Sequence, residues 1–118
     1  MSDASAATPI TIETSSGTIV ARPQIKMMDD ASLKTLTRLI DDASSADAGI
    51  SLVIVDLSRV TIMPSMALGL LVHLGNKCRA RQQKLKLAAV QPQIRQVFSI
   101  TRLDRVFQFA ESVDAARE

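Results

Sequence analysis

Leu52-Val-Ile-Val-Asp-Leu-Ser-Arg-Val-Thr-Ile-Met-Pro-Ser-Met-Ala-Leu-Gly-Leu-Leu71 constrains the fold of this chain more than any other stretch. Its continuous apolar, β-branched opening reads as a strand buried on both faces. A short polar break follows, then Ile62-Met63, and Pro64-Ser65 opens a helical pattern. Strand, tight loop and helix start is where α/β domains place their working residues, because a helix N-terminus gathers unpaired N–H groups and partial positive charge. Ser65 stands at that point.

The rest of the chain supplies neighbours for that strand. Ile10, Ile12, Ser15-Ser16-Gly17, Ile19 and Val20 read as a hairpin with a Gly turn. Pro23 ends its second strand, since proline cannot donate to a central ladder. Asp29 or Asp30 is the N-cap of a helix through about Ser44, with Leu33, Leu36, Leu39 and Ile40 on one face. A second helix runs from Ser65 to Arg81, and residues 85–90 form a strand. Pro92 sits as first residue of a third helix whose inner face is Ile94, Val97, Phe98 and Thr101. Val106 to Phe109 alternates as a short strand, and a last helix starts near Ser112. The fold class is therefore α/β, a mixed four- to five-stranded sheet with helices packed on it, in the order ββαβαβαβα. Residues 1–8 are small and polar and read as a disordered tail, and residues 9–118 as one domain.

With 118 residues the chain holds one domain with a sizeable core. It has three phenylalanines and no Trp or Tyr, which argues against base-stacking platforms for nucleic acid. One cysteine, Cys78, excludes an internal disulfide and any multi-cysteine metal site. No signal segment or membrane-length apolar run is read, so the expected location is the cytoplasm without membrane insertion. The net charge of +2 hides an asymmetry: residues 1–58 carry 8 acidic and 4 basic side chains, residues 59–118 carry 4 and 10. Lys77, Arg79, Arg81, Lys84 and Lys86 cluster. Without exposed aromatics or a recognition-helix motif, they read as a solvated helix end opposing the dipole rather than as a direct nucleic-acid interface.

Catalytic constellations are scarce. His73 is the only histidine and lies mid-helix, and Cys78 reads as a packed side chain. Asp29-Asp30 and Asp41-Asp42 are sequence neighbours, and adjacent helical positions do not face one another. No phosphate loop, HExxH or GxSxG is present. The chain is read as a non-enzyme that needs no cofactor. Two roles fit Ser65: a helix N-cap, and a regulatory phosphosite whose phosphate would meet helix N–H groups.

The same residues resemble the STAS domain, the sulfate-transporter and anti-sigma-factor-antagonist family. That family shows a Val-rich strand ending in Asp-Leu-Ser, then Asp-Ser-Ser/Thr-Gly-Leu-Gly at a helix start, and Val53 to Leu71 is similar to it. Lys84 to Phe109 resembles its second half, and the likeness runs over about residues 10–115. Within it, Ser65 falls on the serine that partner kinases phosphorylate and Asp56 on the strand-end acidic position, while Leu68-Gly69 matches the Leu-Gly. Pro64 replaces the acidic residue usual before the serine, and Met66-Ala67 replace Ser/Thr-Gly. The family's Gly-Glu-Leu-Asp-like loop has no clear match in Pro23 to Asp30.

The resemblance implies an anti-sigma factor antagonist that binds a serine-kinase anti-sigma factor and frees a sigma factor. Phosphorylation at Ser65 would switch it and a serine phosphatase would reset it, in a monomer or weak dimer. Two alternatives stand beside it: a STAS subunit of a membrane lipid or anion transport complex, and a small-molecule or nucleotide sensor. Met27, Met28, Met63, Pro64, Met66 and Asp56 are the expected partner-binding residues, because the resemblance brings the two methionine-bearing loops to one face. Flexible thioethers suit an adaptable apolar contact, though one or two of them capping the core would explain the same pattern.

Overall fold

The computed structural model describes residues 9–117, so the tail assigned to residues 1–8 lies outside the described residues. The chain begins with a hairpin of β1 (Ile10–Ser15) and β2 (Thr18–Pro23). Ser16 and Gly17 turn it with φ of 51° and 77°, the doubly positive pair that matches the twist of paired strands. A Cβ on Gly17 would meet Gly49 O at 3.0 Å. The carbonyl of Gly17 accepts from Ser51 N (2.9 Å) and Leu52 N (3.3 Å), which starts the next strand beside the hairpin.

The remaining elements are α1 (Asp30–Ala46), β3 (Leu52–Asp56), α2 (Ser65–Ala80), β4 (Lys84–Ala88), α3 (Pro92–Ile100), β5 (Gln108–Ala110) and α4 (Val113–Ala116), with a 3₁₀ turn at Leu103–Arg105. The order is ββαβαβαβα, as the sequence predicts. The strands lie side by side as β1-β2-β3-β4-β5, antiparallel in the hairpin and parallel from β2 onward. β3 is therefore central, and Val53, Ile54 and Val55 are fully buried.

Alternation along β3 divides the core. Val53 and Val55 face Leu33, Leu36 and Ile40 of α1, Leu71 and Leu74 of α2, and Ile94 and Phe98 of α3. Ile54 faces the other way, with Val20, Ala88 and Ala116. α4 is the short cover of that second face, and Lys86 Nζ donates to Ala116 O at 2.9 Å, a cation at the helix's negative end. The three phenylalanines form one cluster. Phe98 meets Phe107 and Phe109 edge-on at centroid distances of 5.6 and 5.4 Å; Phe98 and Phe107 are buried and Phe109 is half-buried.

Boundaries differ from the sequence reading where the backbone leaves the regular regions. α1 continues to Ala46. β4 stops at Ala88 because Ala89 turns to φ 56°, which no strand accommodates. The 3₁₀ turn delays β5 to Gln108. Thr101 is exposed at the C-cap of α3 rather than inward, with Oγ1 donating to Val97 O at 2.8 Å. α2 ends in a Schellman turn: Gln83 N donates to Cys78 O (2.8 Å) and Gln82 N to Arg79 O (2.9 Å). Gln82 takes the left-handed position at φ 61°, where glycine is usual.

A charged brace ties α1 to α2. Asp41 accepts from Lys77 Nζ at 2.9 Å and from Arg81 Nη2. Burial pushes the Asp41 carboxyl up, but the two cations outweigh it and hold its pKa below the ordinary 3.8. A depressed folded pKa gives stability that is present above the unfolded value and lost as pH falls through the folded one. Asp41→Asn should therefore lower the urea midpoint at pH 7, and the gap to the wild type should be smaller at about pH 3, below the ordinary carboxylate value, than at pH 7. A gap that is the same at both pH values would mean that the brace acts by shape rather than by charge.

Candidate functional site

Parallel strands from β2 to β5 bring four connections to one end of the sheet, their carboxyl edge. Two of these loops are stitched together by main-chain bonds. Lys26 O accepts from Thr61 N (2.8 Å) and Ile62 N (3.0 Å), and Met28 N donates to Ile62 O (2.9 Å). Met27 and Ile62 form a parallel bridge. Gln91 Nε2 donates to Ser58 O at 2.6 Å, which ties in the β4–α3 connection.

This stitching decides which apolar side chains face outward. Extended backbone sends successive side chains to opposite sides, and bridged residues share a side. Met27 and Ile62 point outward, 47% and 53% exposed, while Met28 and Met63 turn inward at 0% and 5%. The expectation that all four loop methionines line a contact surface is corrected on this point: Met28 and Met63 are core. Met66 stands on the first turn of α2 at 78% exposure. Ile62 belongs to the exposed set, and sequence reasoning missed it. The signal was present in two apolar doublets, Met27-Met28 and Ile62-Met63, each of which an extended loop splits into one inward and one outward side chain.

Pro64, exposed, occupies the N-cap position of α2 with φ −59° and ψ 147°, and no side chain caps the helix. Ser65 is the first helical residue and is exposed. The N-cap role for Ser65 is thereby corrected: the cap is Pro64, which has no side-chain acceptor to offer. Ala67 N donates to Pro64 O at 2.9 Å. Asp56 is engaged within the fold. Its Oδ1 accepts from Ser58 N at 3.0 Å, which shapes the turn after β3, and its Oδ2 lies 3.6 Å from Arg22 Nε. Arg22 also pairs with Glu13, so the three charges cross β1, β2 and β3.

The other candidates lie elsewhere. His73 is exposed midway along α2. Cys78 is buried, and burial pushes its thiol up to about 11, which keeps it an unreactive packed side chain at neutral pH. Among the described residues no group of three or more His, Cys, Asp or Glu side chains could hold a metal ion. No helix among them is long and apolar enough to cross a membrane.

The STAS domain family model matches residues 9–116, and the chain belongs to that family. A candidate anti-sigma factor antagonist from Thermotoga maritima superposes with a TM-score of 0.77 at 16% identity, covering 92% of this chain and 95% of that one. The anti-sigma factor antagonist SpoIIAA of Bacillus in its unphosphorylated form gives 0.72 at 20% identity, covering 90% and 91%, and a structure of its phosphorylated form is also similar. A sulfate transporter family protein from Wolinella succinogenes gives 0.74 at 13% identity, covering 88% and 84%. At these identities the likeness concerns the fold. No curated protein matches in sequence.

The burial pattern sets a direct check on the edge. Met28→Ala should cost about 2–5 kcal/mol in urea denaturation, since it empties a fully enclosed site. Met27→Ala and Ser65→Ala should each fall within about 0.5 kcal/mol of the wild type, because an exposed thioether and an uncapping hydroxyl contribute little. Ser112→Ala should cost about 1 kcal/mol, because Ser112 Oγ accepts from Ala115 N at 3.0 Å as a true cap.

Proposed function

We propose that this STAS domain is an anti-sigma factor antagonist whose carboxyl edge docks on a serine-kinase anti-sigma factor and so frees a sigma factor. The observation that carries the reading is Ser65: an exposed hydroxyl on the first residue of α2, beside an apolar group of Met27, Ile62 and Met66 on the same edge. A docking partner needs apolar surface that is already paid for by a rigid backbone, and the stitched loops supply one. A kinase needs a serine that can leave the surface without breaking a cap, and Ser65 caps nothing.

The switch follows from charge. Phosphorylation adds about −1.5 to −2 charges. The amino end of α2 tolerates them, since its first N–H groups and dipole favour an anion. An apolar contact that must lose water on docking does not. Pro64 sharpens the chemistry of this chain: it brings no acidic neighbour to the serine and fixes the approach to the helix. Asp56 acts in this reading by holding the turn that carries Ser58 and the loop beyond it. A serine phosphatase would restore the unmodified form.

Solved anti-sigma factor antagonists of the same fold support the reading, and SpoIIAA, solved in unphosphorylated and phosphorylated forms, supports the switch. The sulfate transporter relative favours a second reading, in which the same edge docks on a membrane transporter. Pull-down of the tagged chain from its host separates them: a kinase-type anti-sigma factor is expected, and a transporter subunit would favour the second reading.

Ser65→Asp should weaken binding to the anti-sigma partner by at least about 100-fold, roughly 2.7 kcal/mol. Ser65→Ala should bind as the wild type and resist the kinase. Met66→Asp should also weaken binding while leaving the urea midpoint unchanged. Mass spectrometry after incubation with the kinase and ATP should place one phosphate on Ser65; modification at another residue, or none, overturns the switch.

A further inference from the structure

The most enclosed of the surface cavities described lies at the other end of the sheet, away from Ser65. It measures about 220 Å³ and opens between the C-terminal half of α2, the start of β4 and the residues leading into β5. Ser65 and Arg79 are separated along α2 by about 21 Å at ~1.5 Å per residue. The cavity therefore shares no surface with the proposed docking edge.

Its two halves differ in chemistry. Leu85 and Phe107 form an apolar floor, and Gly75 leaves the wall open: a Cβ there would meet Phe107 Cε1 at 3.5 Å and Leu85 Cδ2 at 3.7 Å. Arg79, Asn76 and Lys84 make the polar side. Arg79 Nη1 donates to Asn76 Oδ1 at 3.2 Å, which holds the guanidinium against the helix. Among the described residues neither Arg79 nor Lys84 has an acidic partner, whereas the neighbouring Lys77 and Arg81 are neutralised by Asp41. No acidic side chain lines the cavity. Gln83, buried in its wall, donates through Nε2 to Ser44 Oγ at 3.0 Å and leaves Oε1 unpartnered.

Size limits the ligand. Cavities that take drug-sized molecules and cofactors run from about 300 to 1,000 Å³. A nucleotide is too large for this one. We infer that the Gly75–Arg79–Lys84 cavity binds a small organic oxyanion, a carboxylate or phosphomonoester on a short apolar body, with the body against Phe107 and Leu85 and the charge between Arg79 and Lys84. The site is independent of the Ser65 reading, and it gives the domain a ligand-sensing end opposite its docking end.

Amide-resolved NMR titration of the full chain tests it with three probes: phenyl phosphate, inorganic phosphate and benzyl alcohol. Phenyl phosphate should shift the amides of residues 75–79, 83–85 and 106–108 saturably. It should bind at least about tenfold more tightly than either fragment, because only it uses both halves of the cavity. Raising the salt concentration should weaken it, since the contact is partly between charges at the surface. The Arg79→Gln/Lys84→Gln double variant changes only exposed side chains and should lose at least about tenfold in affinity, with its remaining amide spectrum unchanged. The inference is overturned if phenyl phosphate shifts are non-saturating, if they map to the amino end of α2 instead, or if the double variant binds as the wild type does.

Discussion

β3 has to be covered on four sides at once. Val53, Ile54 and Val55 are apolar in succession, so both faces need a cover, and their main-chain groups need a strand on each edge. β2 and β4 take the edges in parallel register, from Thr18↔Leu52 to Asp56↔Ala88. Parallel pairing forces a crossover between successive strands, and α1, α2 and α3 are those crossovers. They cover the face of Val53 and Val55, and the short α4 returns to cover Ile54. The helix-face core, the thin second cover and the gathering of loops at one end all follow from burying this strand.

The gathered loops give the domain its proposed docking edge. Main-chain bonds between Lys26, Met28, Thr61 and Ile62 make one rigid unit out of two connections. That unit divides four apolar side chains into an inner pair that adds to the core and an outer pair that meets solvent. Core packing and surface exposure are thus assigned to alternate residues of the same few. One departure from the family pattern, Pro64 before Ser65, falls at the junction of this unit with α2. It leaves the serine without a capping duty.

Charge is distributed along α2 with a direction. Its amino end carries no acidic side chain in the first turn and presents unpaired N–H groups beside Ser65. Its carboxyl end carries Lys77 and Arg79, where cations oppose the dipole. Asp41 draws Lys77 and Arg81 inward as a brace between helices. What remains outward is Arg79, with Lys84 beside it. The cluster of five cations read in the sequence therefore separates into structural and solvent-facing members, with Lys86 taken by the end of α4.

Local pattern alone determined the element order, the central strand and the helix starts. An unbroken β-branched run, Pro92 at a first helical turn and Ser112 as a cap each act over a few residues, and the structure agrees with them. The motif around Ser65 was likewise legible because strand, loop and helix start are contiguous in sequence. Which methionines face out was decided by tertiary structure, since it depends on the bridge between Met27 and Ile62, two residues far apart in the chain. The same holds for Asp41 bracing α2 and for the cavity beneath Gly75, Leu85 and Phe107. Short-range periodicity fixes what a residue can form; the partner that it meets across the fold fixes which side of it remains for function.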